Sequence, residues 1–190
     1  MKLVLASASP RRFEILKTLV KDFEIIPADI DETIEIQQGE NYQPRLCMAL
    51  AQKKAQAVFE NHGGNVLGAD TLVFLGEEIL GKPTSKKHGL DILSKLSGNT
   101  HKVITGVAFI TDTRSIIDYE QTYVTFPKLT LEEITDYVEQ FSPYDKAGAY
   151  GIQEIKDIWD VKLKGSYTNV LGLPKNLVKQ MLNMTEEYSV

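Results

Sequence analysis

Val66-Leu67-Gly68-Ala69-Asp70-Thr71-Leu72-Val73-Phe74-Leu75 is an apolar run broken only by Gly68, Ala69, Asp70 and Thr71. Its Val, Leu and Phe content and its length read as a central β-strand. An aspartate in the middle of such a strand is drawn away from water. Burying an unpaired charge is expensive, so Asp70 calls for a metal, a cationic partner or work as a general base. The plainer alternative is a structural aspartate that caps a neighbouring turn.

Upstream of this run, Lys2 to Ala6 reads as a short buried strand, followed by a Ser/Pro turn and a helix from Pro10 to Val20. Phe13, Leu16, Leu19 and Val20 give that helix an apolar stripe at three- and four-residue spacing. Phe23 to Pro27 reads as a second strand, the acidic stretch around Asp29, Asp31 and Glu32 as a loop, and Pro44 to Glu60 as a longer helix. Downstream, Gly76, Glu77 and Glu78 suit a turn into a short partner strand that ends near Leu80. A helix over Ser85 to Leu96, closed by Gly98, precedes two strands, His101 to Thr111 and Ser115 to Phe126. Helices over Leu131 to Phe141 and Pro174 to Leu182 flank a Gly-rich stretch and a strand around Trp159 to Leu163. Strands and helices interleave, which predicts an α/β layer architecture with a mixed sheet and flanking helices. No repeat or long linker divides the chain, so residues 1–190 are expected to form one domain.

The composition narrows the function. With 43% hydrophobic and 25% charged residues, the chain has the balance of an ordinary globular protein rather than a disordered one. A net charge of -5 opposes non-specific attraction to nucleic acid or anionic lipid, so an anionic ligand must be small and locally held. The opening MKLVLASASPRR lacks the long apolar core of a signal peptide, and no run approaches the ~20 apolar residues of a membrane span. A single cysteine, Cys47, precludes an intrachain disulfide, so cytoplasm is the expected location. A homodimer is allowed but not required by these features.

Five stretches call for a chemical explanation. Ser7-Ala8-Ser9-Pro10-Arg11-Arg12 joins the first strand to the first helix, with Ser9 suited to the N-cap and Pro10 to the first helical position. Backbone amides there form an anion site, and two arginines at the positive end of the helix dipole are unfavourable unless something negative binds. A pair of solvated surface arginines accounts for them equally well. Glu32, with Asp31, is a candidate second metal ligand, although acidic loops are usually just solvated. Lys54 shares a helical face with Cys47, Leu50, Ala51 and Val58, where a lysine commonly snorkels to the surface. Gly81-Lys82-Pro83 holds Lys82 in a stiff turn that could aim it at a ligand. Asp145-Lys146-Ala147-Gly148-Ala149-Tyr150-Gly151-Ile152-Gln153 mixes small residues with polar ones able to read a base, or is a tight turn.

Other machineries are absent from the sequence. It has no G-x-x-x-x-G-K-[ST] loop, no G-x-G-x-x-G fingerprint and no G-x-S-x-G elbow. His62, His88 and His101 lack metal-ligand spacing, and Cys47 reads as core.

Taken together, these segments resemble the Maf family of nucleotide pyrophosphatases across nearly the whole chain. The matching segments are SASPRR at Ser7–Arg12, DE at Asp31 and Glu32, LAQKKA at Leu50–Ala55, GADT at Gly68–Thr71, GKP at Gly81–Pro83 and LSG at Leu96–Gly98. DKAGAYGIQ at Asp145–Gln153 and GLP at Gly172–Pro174 complete the order. The resemblance implies a mixed, elongated sheet with two lobes around a cleft, related to the inosine triphosphatase architecture. It also implies hydrolysis of a nucleoside triphosphate between its α and β phosphates, helped by a divalent metal, Mg or Mn. By the same resemblance Asp70 matches the proton acceptor, Glu32 contributes to the metal site with Asp70, and Ser9, Arg12, Lys54 and Lys82 line the triphosphate. Whether Asp70 is base, metal ligand or both stays open. Arg11, Thr71 and Gln153 match the branch acting on dTTP and UTP, where a relative acting on 7-methyl-GTP carries Trp, Gln and Glu.

Overall fold

Leu3, Val4 and Leu5 carry no polar side chain, and as strand β1 (Leu3–Leu5) all three are buried. β1 pairs in parallel with β2 (Phe23–Ile25) on one side and with β3 (Asn65–Leu75) on the other, placing Leu3 opposite both Phe23 and Asn65. Parallel neighbours need crossover connections, which here contain helix α1 (Pro10–Lys17) and helix α2 (Tyr42–His62). The computed structural model describes residues 2–32 and 42–184.

The chain continues through β4 (Glu78–Leu80), α3 (Lys86–Leu96), β5 (Thr100–Ile110), β6 (Ser115–Thr125) and α4 (Leu131–Phe141). A 3₁₀ turn (Ala147–Ala149), α5 (Ile152–Ile155), β7 (Lys162–Lys164), α6 (Tyr167–Val170) and α7 (Lys175–Asn183) follow. The strands form a seven-stranded sheet in the order β2-β1-β3-β5-β6-β7, with β4 on β3. β3–β4 and β6–β7 are antiparallel, so the sheet is mixed, as the interleaving predicts.

The chain forms two compact units. One comprises Met1–Thr71, Ile104–Glu120 and Gly172–Val190. One cluster of its core gathers Val4, Ala6, Ala51, Ala55, Val58, Val66, Ala108 and Ile110. Small side chains dominate this cluster because α2 lies unusually close to the strands. A Cβ on Gly68 would sit 2.5 Å from the Ala51 carbonyl oxygen, and one on Gly106 would sit 2.3 Å from the Cys47 carbonyl. Only hydrogen fits at these two positions.

The second unit comprises Leu72–Val103 and Gln121–Leu171. Its core is aromatic, with Phe126, Tyr137, Tyr150 and Trp159 among Leu93, Leu96, Val124 and Ile134. α4 begins with a capping box in which Thr130 Oγ1 accepts from the Glu133 amide and Glu133 accepts from the Thr130 amide.

Several expectations shift. α1 ends at Lys17 rather than Val20, where the Thr18 and Leu19 amides bond three residues back, to the Ile15 and Leu16 carbonyls, and tighten the last turn. The strand expected around Trp159 begins only at Lys162. Trp159 instead closes the turn after α5, its amide on the Ile155 carbonyl and its ring 5.0 Å from Tyr137. The Gly-rich stretch before it is neither a single turn nor featureless, since it contains the 3₁₀ turn and the start of α5.

Candidate active site

Side chains alternate along a strand, so Asp70 faces the same side of β3 as Gly68, towards α2. On α2 the buried positions Cys47, Leu50, Ala51, Lys54, Ala55 and Val58 form one stripe, and Lys54 lies next to the alanines that Gly68 admits. Lys54 does not snorkel out. Its side chain is 11% exposed and its Nζ donates to Asp70 Oδ1 at 2.5 Å, with the Asp70 side chain 9% exposed. The same ammonium lies 2.8 Å from Glu32 Oε1 in the loop after β2. Either charge buried alone would cost several kcal/mol, on the order of the ionic desolvation penalty, so the pairing is what makes the cluster tolerable. Neighbouring Lys53 donates to the Asp31 carbonyl at 2.5 Å, which ties the acidic loop to α2.

Arg12 is anchored separately. Its Nε donates to the Gly172 carbonyl at 2.7 Å, Nη1 to Ser7 Oγ at 3.1 Å and Nη2 to Thr71 Oγ1 at 3.1 Å. Thr71 Oγ1 lies 2.9 Å from Thr105 Oγ1, so Thr105 and Thr71 brace the guanidinium together. Burial pulls the Arg12 pKa below its ordinary value, aided by the charge of Arg11, while Asp70 and Glu32 oppose the shift. A guanidinium carries five N–H donors, and three of Arg12's are committed to these acceptors. Ser9 is the N-cap of α1, as expected, but its side chain makes no capping bond; its amide donates to Ser7 Oγ at 3.2 Å.

Lys82 and Gln153 lie in the second unit. Lys82 is exposed in the turn after β4, where the Gly148 amide donates to the Gly81 carbonyl at 3.1 Å. Gln153, at the start of α5, donates through Nε2 to Glu154 Oε1 at 3.3 Å, while its Oε1 is buried with no hydrogen-bond partner. Glu154 is itself held on two sides. Lys146 Nζ lies 3.2 Å from Oε1, and the Tyr137 hydroxyl donates to Oε2 at 2.5 Å while accepting from the Gly151 amide at 3.0 Å. Burial, reinforced by the bond to Glu154, raises the Tyr137 pKa, so the phenol keeps its proton.

The structure therefore brings Asp70, Lys54 and Glu32 together, and Arg12 with Thr71. Ser7, Thr105, the Gly172 carbonyl, Lys146, Glu154 and Tyr137 were not singled out from the sequence as site residues. Ser7 and Gly172 sit inside matching segments; Thr105 and Tyr137 carry no local signal, since their value lies in partners 34 and 17 residues away.

Asp70 and Glu32 converge on a single cation, the Lys54 ammonium, and both offer hard oxygen donors. That set suits a hard divalent cation, held by one or two protein carboxylates with its shell completed by water and phosphate oxygens. Among the described residues, no group of three or more His, Cys, Asp or Glu side chains gathers, so no all-protein cage is built there.

A sequence model of the family described as "Maf-like protein" matches residues 2–185. The dTTP/UTP pyrophosphatase of Bacillus cereus is 45% identical to this chain over 183 residues, covering 95% of the chain and 94% of that protein. Its namesake in Bacillus anthracis is 46% identical with the same coverage. Among solved structures, the Ham1 protein of Staphylococcus aureus aligns with a TM-score of 0.49 at 14% identity, over 66% of this chain and 72% of that one.

Proposed function

This chain belongs to the Maf family, and from that premise we propose that it hydrolyses dTTP and UTP to the nucleoside monophosphate and pyrophosphate. The observation that carries the reading is the buried Lys54 ammonium bonded to Asp70 and Glu32, a charged cluster on the inner face of a core strand. A structural aspartate capping a turn would need no buried lysine and no second carboxylate.

Water attacks the α-phosphorus, its proton passes to Asp70, and pyrophosphate leaves. Lys54 engages Oδ1 of Asp70, and Oδ2 is the oxygen assigned to take the proton. Lys54 also steadies Glu32 and adds positive charge for the phosphoryl oxygens in the transition state. Arg12, fixed by three protein acceptors, presents its remaining donors to the phosphate chain without having to reorganise, and the Ser9 hydroxyl and the α1 amides add to them. Lys54, Arg11, Arg12 and the assigned Lys82, set against Asp70 and Glu32, leave two net positive charges, which still falls short of a triphosphate. A divalent ion, Mg or Mn, held by Asp70 and Glu32 would supply the missing charge and polarise the phosphoryl oxygens. Lys82 is assigned to the phosphates, and Gln153, with Arg11 and Thr71, to the choice of base. Residues 1–190 act in this proposal as one catalytic domain in the cytoplasm, and no nucleic acid or membrane partner is invoked.

The test is incubation with a panel of nucleoside triphosphates and Mg or Mn, with pyrophosphate and orthophosphate detected separately. Release of pyrophosphate and monophosphate from dTTP and UTP, abolished by chelation, is the expected result. Nucleoside diphosphate with orthophosphate would place the cleavage elsewhere and overturn the assignment.

A further inference from the structure

We propose that Glu154 is a positioning residue that locks the amide of Gln153 in one orientation, and thereby restricts the site to pyrimidines bearing an N3–H. The inference rests on the reading of Gln153 as the residue that meets the base.

A glutamine amide is nearly symmetric in shape and opposite in hydrogen-bonding character at its two ends, so turning it over exchanges a donor for an acceptor. An unrestrained glutamine therefore serves two kinds of base edge. Uracil and thymine present N3–H beside a carbonyl, whereas cytosine presents N3 as an acceptor beside an amino group. One amide orientation satisfies the first pair and the reversed orientation satisfies the second.

Here the choice has been made before any ligand arrives. Gln153 Nε2 faces Glu154 Oε1 at 3.3 Å, and reversing the amide would set a carbonyl oxygen against a carboxylate oxygen. The carboxylate cannot easily swing aside. Lys146, itself buried, lies 3.2 Å from the same oxygen, and Tyr137 holds the other one from a phenol that is in turn fixed by the Gly151 amide. Gly151 makes room for the pair. A Cβ there would lie 2.7 Å from Gln153 Nε2 and 2.8 Å from the Glu154 carboxyl carbon. What the lock leaves over is a buried Oε1 with no partner, which is an acceptor waiting for an N–H. The second Nε2 hydrogen remains for the adjacent carbonyl of an imide edge. Leaving a buried acceptor unmet is unfavourable, and a uracil or thymine N3–H satisfies it where cytosine N3 repels it.

UTP and CTP differ only at this edge, which makes their kcat/KM ratio the direct readout. The ratio is measured by pyrophosphate release for the wild type, Glu154→Gln, Tyr137→Phe and Gln153→Ala, each checked for folding by thermal melting. Glu154→Gln keeps the shape but offers Gln153 either a donor or an acceptor, so the amide can turn. The expected result is a UTP preference reduced about tenfold, through a lower KM for CTP with its kcat within about twofold. Tyr137→Phe should move the ratio in the same direction by less, and it serves as the test if Glu154→Gln does not fold. Gln153→Ala should flatten the ratio altogether. A wild-type ratio in Glu154→Gln and Tyr137→Phe, with a flattened ratio in Gln153→Ala, overturns the lock and leaves Gln153 as base reader. An unchanged ratio in Gln153→Ala removes Gln153 from base recognition, and the lock with it.

Discussion

Lys54 Nζ and Asp70 Oδ1 are 2.5 Å apart at a place where each side chain is roughly nine-tenths buried. A pair so withdrawn from water is costly to disturb, because removing one partner leaves the other charge unmatched. Glu32, at 2.8 Å and half exposed, is the only other carboxylate bonded to that ammonium in the described residues.

Asp70→Asn, which keeps an acceptor for Lys54, should lower turnover strongly while the fold survives. An amide oxygen still accepts from Lys54 and Glu32 still balances its charge, so the melting temperature should drop only modestly. Loss of a general base costs on the order of 10² to 10⁴ in rate. Steady-state pyrophosphate release by protein of verified melting behaviour is the measurement, and near-normal turnover would take Asp70 out of the mechanism.

Gly106→Ala should destabilise the first unit and weaken activity together. The new methyl would fall 2.3 Å from the backbone carbonyl of Cys47, which is helix backbone and cannot swing away as a side chain would. Displacing α2 costs on the order of 1 to 3 kcal/mol by overpacking, and α2 carries Lys54. Urea unfolding and kcat of the folded fraction are the readouts. A variant as stable and active as the wild type would contradict this close packing.

Acid should weaken the second unit through His101. This ring is 1% exposed, with Nε2 2.8 Å from the Tyr150 hydroxyl and Nδ1 buried without a partner, and burial pushes its pKa down to about 4. The unfolded chain binds the proton below about 6.5 and the folded chain only below about 4, so stability from this group is complete above 6.5. It is lost as pH falls through that window, by up to about 3 kcal/mol. Urea unfolding from pH 7 to pH 4 should show this slope in the wild type and a shallower one in His101→Gln. Equal slopes would mean that other groups carry the acid sensitivity.

Gln153→Glu should penalise UTP and dTTP by about 10- to 100-fold in kcat/KM, corresponding to roughly 1 to 3 kcal/mol for an acceptor set against an acceptor. In this chain the new carboxylate also lands beside Glu154, 3.3 Å from the present amide nitrogen, so a second unfavourable contact is built in. Kinetics with UTP at fixed metal concentration decide the matter. An unaltered kcat/KM would show that position 153 does not touch the base.

The short helices Ile152–Ile155 and Tyr167–Val170 aside, sequence alone determined the order of the strands and longer helices, the α/β class, the burial of Asp70 in a central strand and the place of Lys54 on an apolar helix face. Each of these follows from periodicity within a dozen neighbouring residues, where spacing translates directly into a face or a strand. Tertiary structure alone decided what those groups touch. Lys54 could have snorkelled outward; it turns inward because Gly68 and Gly106 bring α2 against the sheet, within reach of Asp70. Arg12 finds acceptors 59 and 160 residues away, and Tyr137 finds Glu154 across a turn whose helical start no spacing rule marked. Such partners depend on how remote segments meet, which local patterning does not encode. Whether a buried charge is paired, braced or left waiting for a ligand is settled only when the chain closes around it.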